Sequence, residues 1–92
     1  PTLADGLAGE VDDEGLAVGR FALDEIVTVS EDAIASAIRW LACEYALKVE
    51  GSGAVGVAAL RAERIAIGAE PCVIVLTGGN IDEMRWSSIV SG

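Results

Sequence analysis

Two kinds of apolar spacing divide this chain. Ile26-Val27-Thr28-Val29 and Cys72-Val73-Ile74-Val75-Leu76 are short, β-branched runs. Both suit strands, and the unbroken second run suits a strand covered on both faces, as in a parallel sheet. Between them the period lengthens. Ile34, Ile38, Leu41 and Tyr45 recur at i, i+4, i+7 and i+11, which predicts a helix from a Ser30 N-cap to about Leu47. Glu31 and Asp32 fall in its first turn, where carboxylates favour the positive end of the helix dipole. Trp40 and Cys43 widen its apolar face. Lys48-Val49-Glu50 interrupts the pattern, and a second helix is expected over 53–64. Its residues Gly53, Ala54, Gly56, Ala58 and Ala59 are small, so it can lie very close to a neighbour. Residues 65–70 read as a loop around Gly68.

After the second strand, Thr77 places a hydroxyl at the strand's carboxyl end. Gly78 and Gly79 allow a sharp turn or a close backbone approach. Asn80 is placed to cap a last helix over 81–90. Residues 1–19 hold four glycines and read as mostly irregular, with a short turn at 3–7. Residues 21–25 lead into the first strand.

The order strand, helix, helix, strand, helix implies parallel pairing in a partial α/β layer, a single domain over residues 1–92. Two strands alone make a poor sheet. The layer is therefore expected to be completed by a second copy, or to be cut from a larger sheet. The chain opens at Pro1 rather than Met, which fits processing, trimming or a fragment.

Composition narrows the function. The 92 residues are 52% hydrophobic with a net charge of −9, so the chain can build a modest core. Residues 1–32 carry nine acids against Arg20 alone. Nucleic acid is a poor partner for this charge, because phosphate binding needs clustered Lys and Arg. No apolar run approaches the ~20 residues of a membrane span. Asp12-Asp13-Glu14 lacks the spacing of a calcium loop and reads as a solvated loop; no metal site is assigned. Cys43 and Cys72 sit in apolar segments and read as buried free thiols, which suits a reducing, cytoplasmic setting. The chain has no His, which removes Ser-His and Cys-His nucleophile pairs.

Three features offer chemistry. Gly51-Ser52-Gly53-Ala54-Val55-Gly56 matches G-x-G-x-x-G. A dinucleotide site needs a strand directly before that motif and an acid about 20 residues on. A helix precedes it here, so it reads as a close-packed helix start. Lys48 is the sole lysine and reads as a charge at a helix end rather than a nucleophile. Glu50 reads either as a solvated capping carboxylate or as one aimed into a cleft shared with Thr77. In open α/β sheets ligands bind at the carboxyl edge of the strands, so the Thr77-Gly78-Gly79 turn is a candidate site.

Four stretches carry a family resemblance: TLADG at 2–6, IVTVSEDAI at 26–34, VEGSGAVGVAAL at 49–60 and VIVLTGGNID at 73–82. In order and spacing they resemble the carboxyl-terminal part of the pyridoxal-phosphate enzymes that include threonine dehydratase (threonine ammonia-lyase), serine dehydratase and serine racemase. The resemblance implies a piece of the large domain of a fold-type-II pyridoxal-phosphate enzyme. It implies that Thr77, where the family usually has Ser, hydrogen-bonds the pyridine nitrogen of the cofactor. Gly78 and Gly79 would pass close to the ring, with Glu50 near the cofactor. Asn80 would match a position that touches a nucleotide effector in some members. The family's Schiff-base lysine, phosphate loop and metal ligands have no counterpart among these residues. The expectation is therefore a fragment of a threonine/serine ammonia-lyase-like enzyme that binds no pyridoxal phosphate and catalyses nothing alone. The alternative is a stand-alone small dimerising or ligand-binding module derived from that family. Self-association is expected under both readings, and a small amino acid or nucleotide is a further candidate partner.

Overall fold

The computed structural model describes residues 2–4, 7, 12–23 and 26–92. Pro1, Asp5, Gly6, Glu10, Asp24 and Glu25 lie outside these, so part of the expected turn and some of the entry acids do as well. Four helices follow one another: α1 (Asp13–Ala22), α2 (Glu31–Tyr45), α3 (Gly51–Arg61) and α4 (Glu83–Ser91).

α2 is the centre of the molecule and packs on both α3 and α4. The Ser30 hydroxyl accepts the Ala33 N–H and starts the helix, satisfying one of its orphan donors. Ile34, Ala37, Ile38 and Leu41 form the buried stripe, while Tyr45, at the end of the expected stripe, is exposed. The facing side of α3 is smooth: Gly53, Ala54, Val57 and Ala58 are buried, and small residues let the two helix axes approach. Polar links span the same interfaces. Arg39 Nε donates to the Ile89 carbonyl at 3.1 Å, tying α2 to α4. Arg61 lies over the Trp40 ring, 4.9 Å from its centre, a cation–π contact between α3 and α2.

The expected parallel-sheet α/β layer is not present. Among the described residues there are four helices and no strand. Residues 26–29 and 72–76 lie outside the helices, and neither pairs in a ladder with another of the described residues. β-branched composition favours extended backbone; a ladder also requires a second chain segment 4.7–4.9 Å away. The 72–76 run is not covered on both faces either. Val73 and Val75 are largely exposed, and only Ile74 between them packs on the core.

Other expectations are corrected in the same way. α1 occupies a stretch whose composition predicts irregular chain: Asp12 is its N-cap, accepting the Gly15 N–H at 2.7 Å, and Asp13 and Glu14 form its first turn. Those acids are solvated, but on a helix rather than in a loop. α3 begins at Gly51, two residues before its expected start. The last helix is capped by Asp82, which accepts the Arg85 N–H, and not by Asn80. Cys43 and Cys72 are free but exposed, since Cys43 falls off the buried stripe of α2 and Cys72 opens the exposed run.

Candidate functional site

The segment after Leu76 folds back over the start of α3. The Glu50 N–H donates to the Gly78 carbonyl at 2.9 Å. Gly78 has φ +74°, a left-handed conformation that glycine adopts without a Cβ penalty. A Cβ there would also lie 2.2 Å from Glu50 Oε1. Glu50 is the N-cap residue of α3, yet its side chain makes no capping bond; its carboxylate stands against the Gly78 backbone instead.

The glycines of the G-x-G-x-x-G stretch explain how the segment comes so close. A Cβ on Gly53 would lie 1.5 Å from the Thr77 carbonyl oxygen, and one on Gly56 would lie 2.8 Å from Ile74 Cγ2. A Cβ on Gly51 would lie 1.9 Å from the Leu3 carbonyl. Gly51 and Gly53 are sites of backbone approach and Gly56 receives the Ile74 side chain, in keeping with a close-packed helix start. The motif's spacing is the signal for this packing.

Thr77, Gly78, Gly79 and Glu50 are thus brought together, with Thr77 and both glycines exposed and Glu50 half-buried. Asn80 is exposed beside them and, with Glu50, Gly51, Leu3, Asp82 and Arg85, lines a cavity of about 180 Å³. The Lys48 carbonyl lies beside Gly79, but its side chain pairs with Glu83, and its ammonium lies 5.8 Å from the Trp86 ring centre. No group of residues able to hold a metal ion occurs among the described residues.

Sequence reading did not foresee the role of Glu31. Its carboxylate accepts from the Thr2 hydroxyl and, at 2.7 Å, from the Leu3 N–H. The Thr2 hydroxyl, then the Leu3 N–H, hold its pKa below the usual carboxylate value, and Arg85 adds to the effect. Thr2 sits 29 residues away along the chain, so local pattern carries no sign of the pairing.

Comparison with known proteins decides the family. The pattern of pyridoxal-phosphate dependent enzymes matches residues 1–78. The chain belongs to the pyridoxal-phosphate dependent enzyme family. It is 41% identical over 92 residues to the L-threonine ammonia-lyase of Thermotoga maritima, covering 99% of this chain and 23% of that protein. It is 44% identical to the L-threonine ammonia-lyase of Geobacter sulfurreducens, over 97% of this chain and 22% of that protein. A putative threonine dehydratase of Sinorhizobium fredii is 37% identical, with 99% and 28% covered. The chain therefore spans about a quarter of the length of these relatives. No solved structure matches it. None of the described helices is long and apolar enough to cross a membrane.

Proposed function

We propose that this chain supplies the pyridine-ring end of a pyridoxal-phosphate site in a threonine ammonia-lyase-like enzyme. The observation that carries this is the Glu50 N–H bond to the Gly78 carbonyl, which sets the Thr77 turn against a carboxylate at the mouth of α3. These residues fit one end of the cofactor. Thr77 is exposed and can offer its hydroxyl to a ring nitrogen, while the missing Cβ atoms of Gly78 and Gly79 let the turn close on Glu50 and the Lys48 carbonyl behind it. They do not fit the aldehyde end, because the sole lysine is engaged with Glu83.

Bound pyridoxal phosphate supplies an electron sink for bond cleavage next to a substrate amine. Thr77 would orient the ring through a neutral hydrogen bond, and Glu50 would hold the turn that presents Thr77. The covalent anchor and the phosphate contacts would come from residues other than these. On that basis the whole enzyme would deaminate a hydroxy-amino acid, and this chain alone would bind no cofactor covalently.

The test is a graft. This chain replaces the corresponding segment of the Thermotoga maritima L-threonine ammonia-lyase, and cofactor retention is followed by absorbance. Retention is expected for the graft and for Thr77→Ser within it. Thr77→Val should weaken retention by roughly fivefold to tenfold, the equivalent of one net hydrogen bond of about 1 kcal/mol. Equal retention by Thr77→Val overturns the assignment of Thr77. For the isolated chain mixed with pyridoxal phosphate, a stable new band that Lys48→Ala abolishes overturns the non-covalent reading.

A second reading is favoured by the apolar groove of about 240 Å³ lined by Trp40, Tyr45, Leu47, Leu60, Ile74 and Leu76. Here the isolated chain self-associates and covers this groove with a second copy.

A further inference from the structure

Five contacts converge on residues 2–4. Glu31, in the first turn of α2, accepts from the Thr2 hydroxyl and the Leu3 N–H. Arg85, on α4, donates from Nη2 to the Thr2 carbonyl at 3.4 Å. The Leu3 carbonyl presses on Gly51 so closely that no Cβ fits between them. Ala4 is buried in the core with Ile34 and Ala54. One short strap is therefore gripped by α2 and α4 and pushed onto the first residue of α3.

That residue adjoins Glu50, whose N–H holds the Gly78 carbonyl. A continuous line of contacts runs from Glu31 through Leu3 and Gly51 to Glu50 and the Thr77-Gly78 turn. We infer that Glu31 is a positioning residue for the Glu50–Gly78 turn, acting through the Thr2–Leu3 strap. This deepens the reading of that turn as a cofactor-facing site, and it holds for the turn's geometry whether or not a cofactor binds there.

The chemistry favours such a role. Hydrogen bonds to a carboxylate are about twice as strong as neutral ones. Glu31 has two donors on one strap, so it fixes both the position and the rotation of the Leu3 peptide. The strap also walls the cavity shared by Leu3, Glu50, Asn80 and Arg85. Among the described residues, Arg85 and Asp82 at the start of α4 and Glu50 before α3 share the strap's cavity, and Asp32 follows Glu31 on α2. Among these, Arg85 bonds the strap itself.

Amide hydrogen exchange on the 92-residue chain tests this. Glu31→Gln should speed exchange of the Glu50 amide by about tenfold, because the bond to Gly78 loses its support. The core amides of Ile38 and Leu41 on α2 should exchange as in the parent chain. Thr2→Val removes one of the two donors and should give a smaller acceleration at Glu50. It keeps the test decisive if Glu31→Gln does not fold. Two outcomes overturn the inference: acceleration at Leu3 with none at Glu50, and equal acceleration at Glu50, Ile38 and Leu41, which would mark Glu31 as a general stability residue. No cofactor enters this experiment, so its failure is separate from failure of the Thr77 graft.

Discussion

A missing Cβ is the most informative atom at the candidate site. Gly53 cannot carry one without meeting the Thr77 carbonyl oxygen at 1.5 Å. That neighbour is backbone, so the whole Thr77-Gly78 segment would have to lift. Gly68 is the counterexample, with open space around its Cβ position and no left-handed φ. Gly53→Ala should therefore destabilise the chain by roughly 2–3 kcal/mol, in the range of overpacking in a tight core. Gly68→Ala should be neutral or stabilising by up to about 1 kcal/mol, through lower entropy of the unfolded chain. Urea denaturation of the two variants checks the contrast; equal midpoints would show that the 77–78 segment does not lie on α3. The closeness of Glu50 to the Thr77-Gly78-Gly79 turn is legible in the sequence as far as residue type goes: the glycines mark where backbone comes close. The strand expected to present Thr77 is absent among the described residues. Glu31 is not legible, because its partners lie 28 and 29 residues away and leave no periodic trace.

At the level of elements, legibility follows how local each cause is. α2 is readable because its cap, its first-turn acids and its apolar stripe are all encoded within sixteen residues. α1 is hidden because Gly15, Gly19 and the clustered acids resemble loop composition, although the Asp12 cap, the acids of its first turn and Arg20 in its last turn are helix signals. The two β-branched runs suggest strands since composition speaks for conformation, while pairing depends on a partner that composition does not describe. The end of α2 shows a local cost of the same kind. Ala46 closes the helix at φ 53°, ψ 36°, and its N–H reaches the Ala42 and Leu41 carbonyls. An L-residue with a Cβ pays about 1 kcal/mol for that left-handed position, which glycine avoids. Ala46→Gly should raise stability by roughly 0.5 kcal/mol once the extra unfolded-state freedom of glycine is subtracted. Thermal unfolding measured by circular dichroism reads this, and a lower melting point for the variant would mean that Ala46 does not close α2 in the left-handed form.

The whole molecule exposes more surface than a chain of its size needs to. Its accessible area is 6698 Å², whereas a compact monomer of 9.4 kDa would expose about 5,000 Å². Its radius of gyration is 14.1 Å, against about 12 Å for a compact domain of this length. The excess, about 1,700 Å², is about twice the roughly 800 Å² that each partner loses in a standard interface, and apolar side chains lie within the exposed surface. Val73 is 87% and Val75 74% exposed, on the outer side of a segment whose Ile74 and Leu76 line the groove beside Trp40. Net charge opposes association of two such chains, but residues 1–32 hold nine of the fifteen acids while 33–92 are nearly balanced. Contact through the groove and the 72–76 segment therefore escapes most of that repulsion, within a screening length of about 8 Å at physiological salt. The chain should accordingly run larger than its 9.4 kDa monomer mass in light scattering, and more so as salt is added. Val73→Lys with Val75→Lys should return it toward the monomer without lowering its melting temperature, because neither side chain supports the core. A folded parent chain that stays monomeric at every concentration and salt level would refute self-association, and an unchanged mass in the double variant would place the contact away from the 72–76 segment.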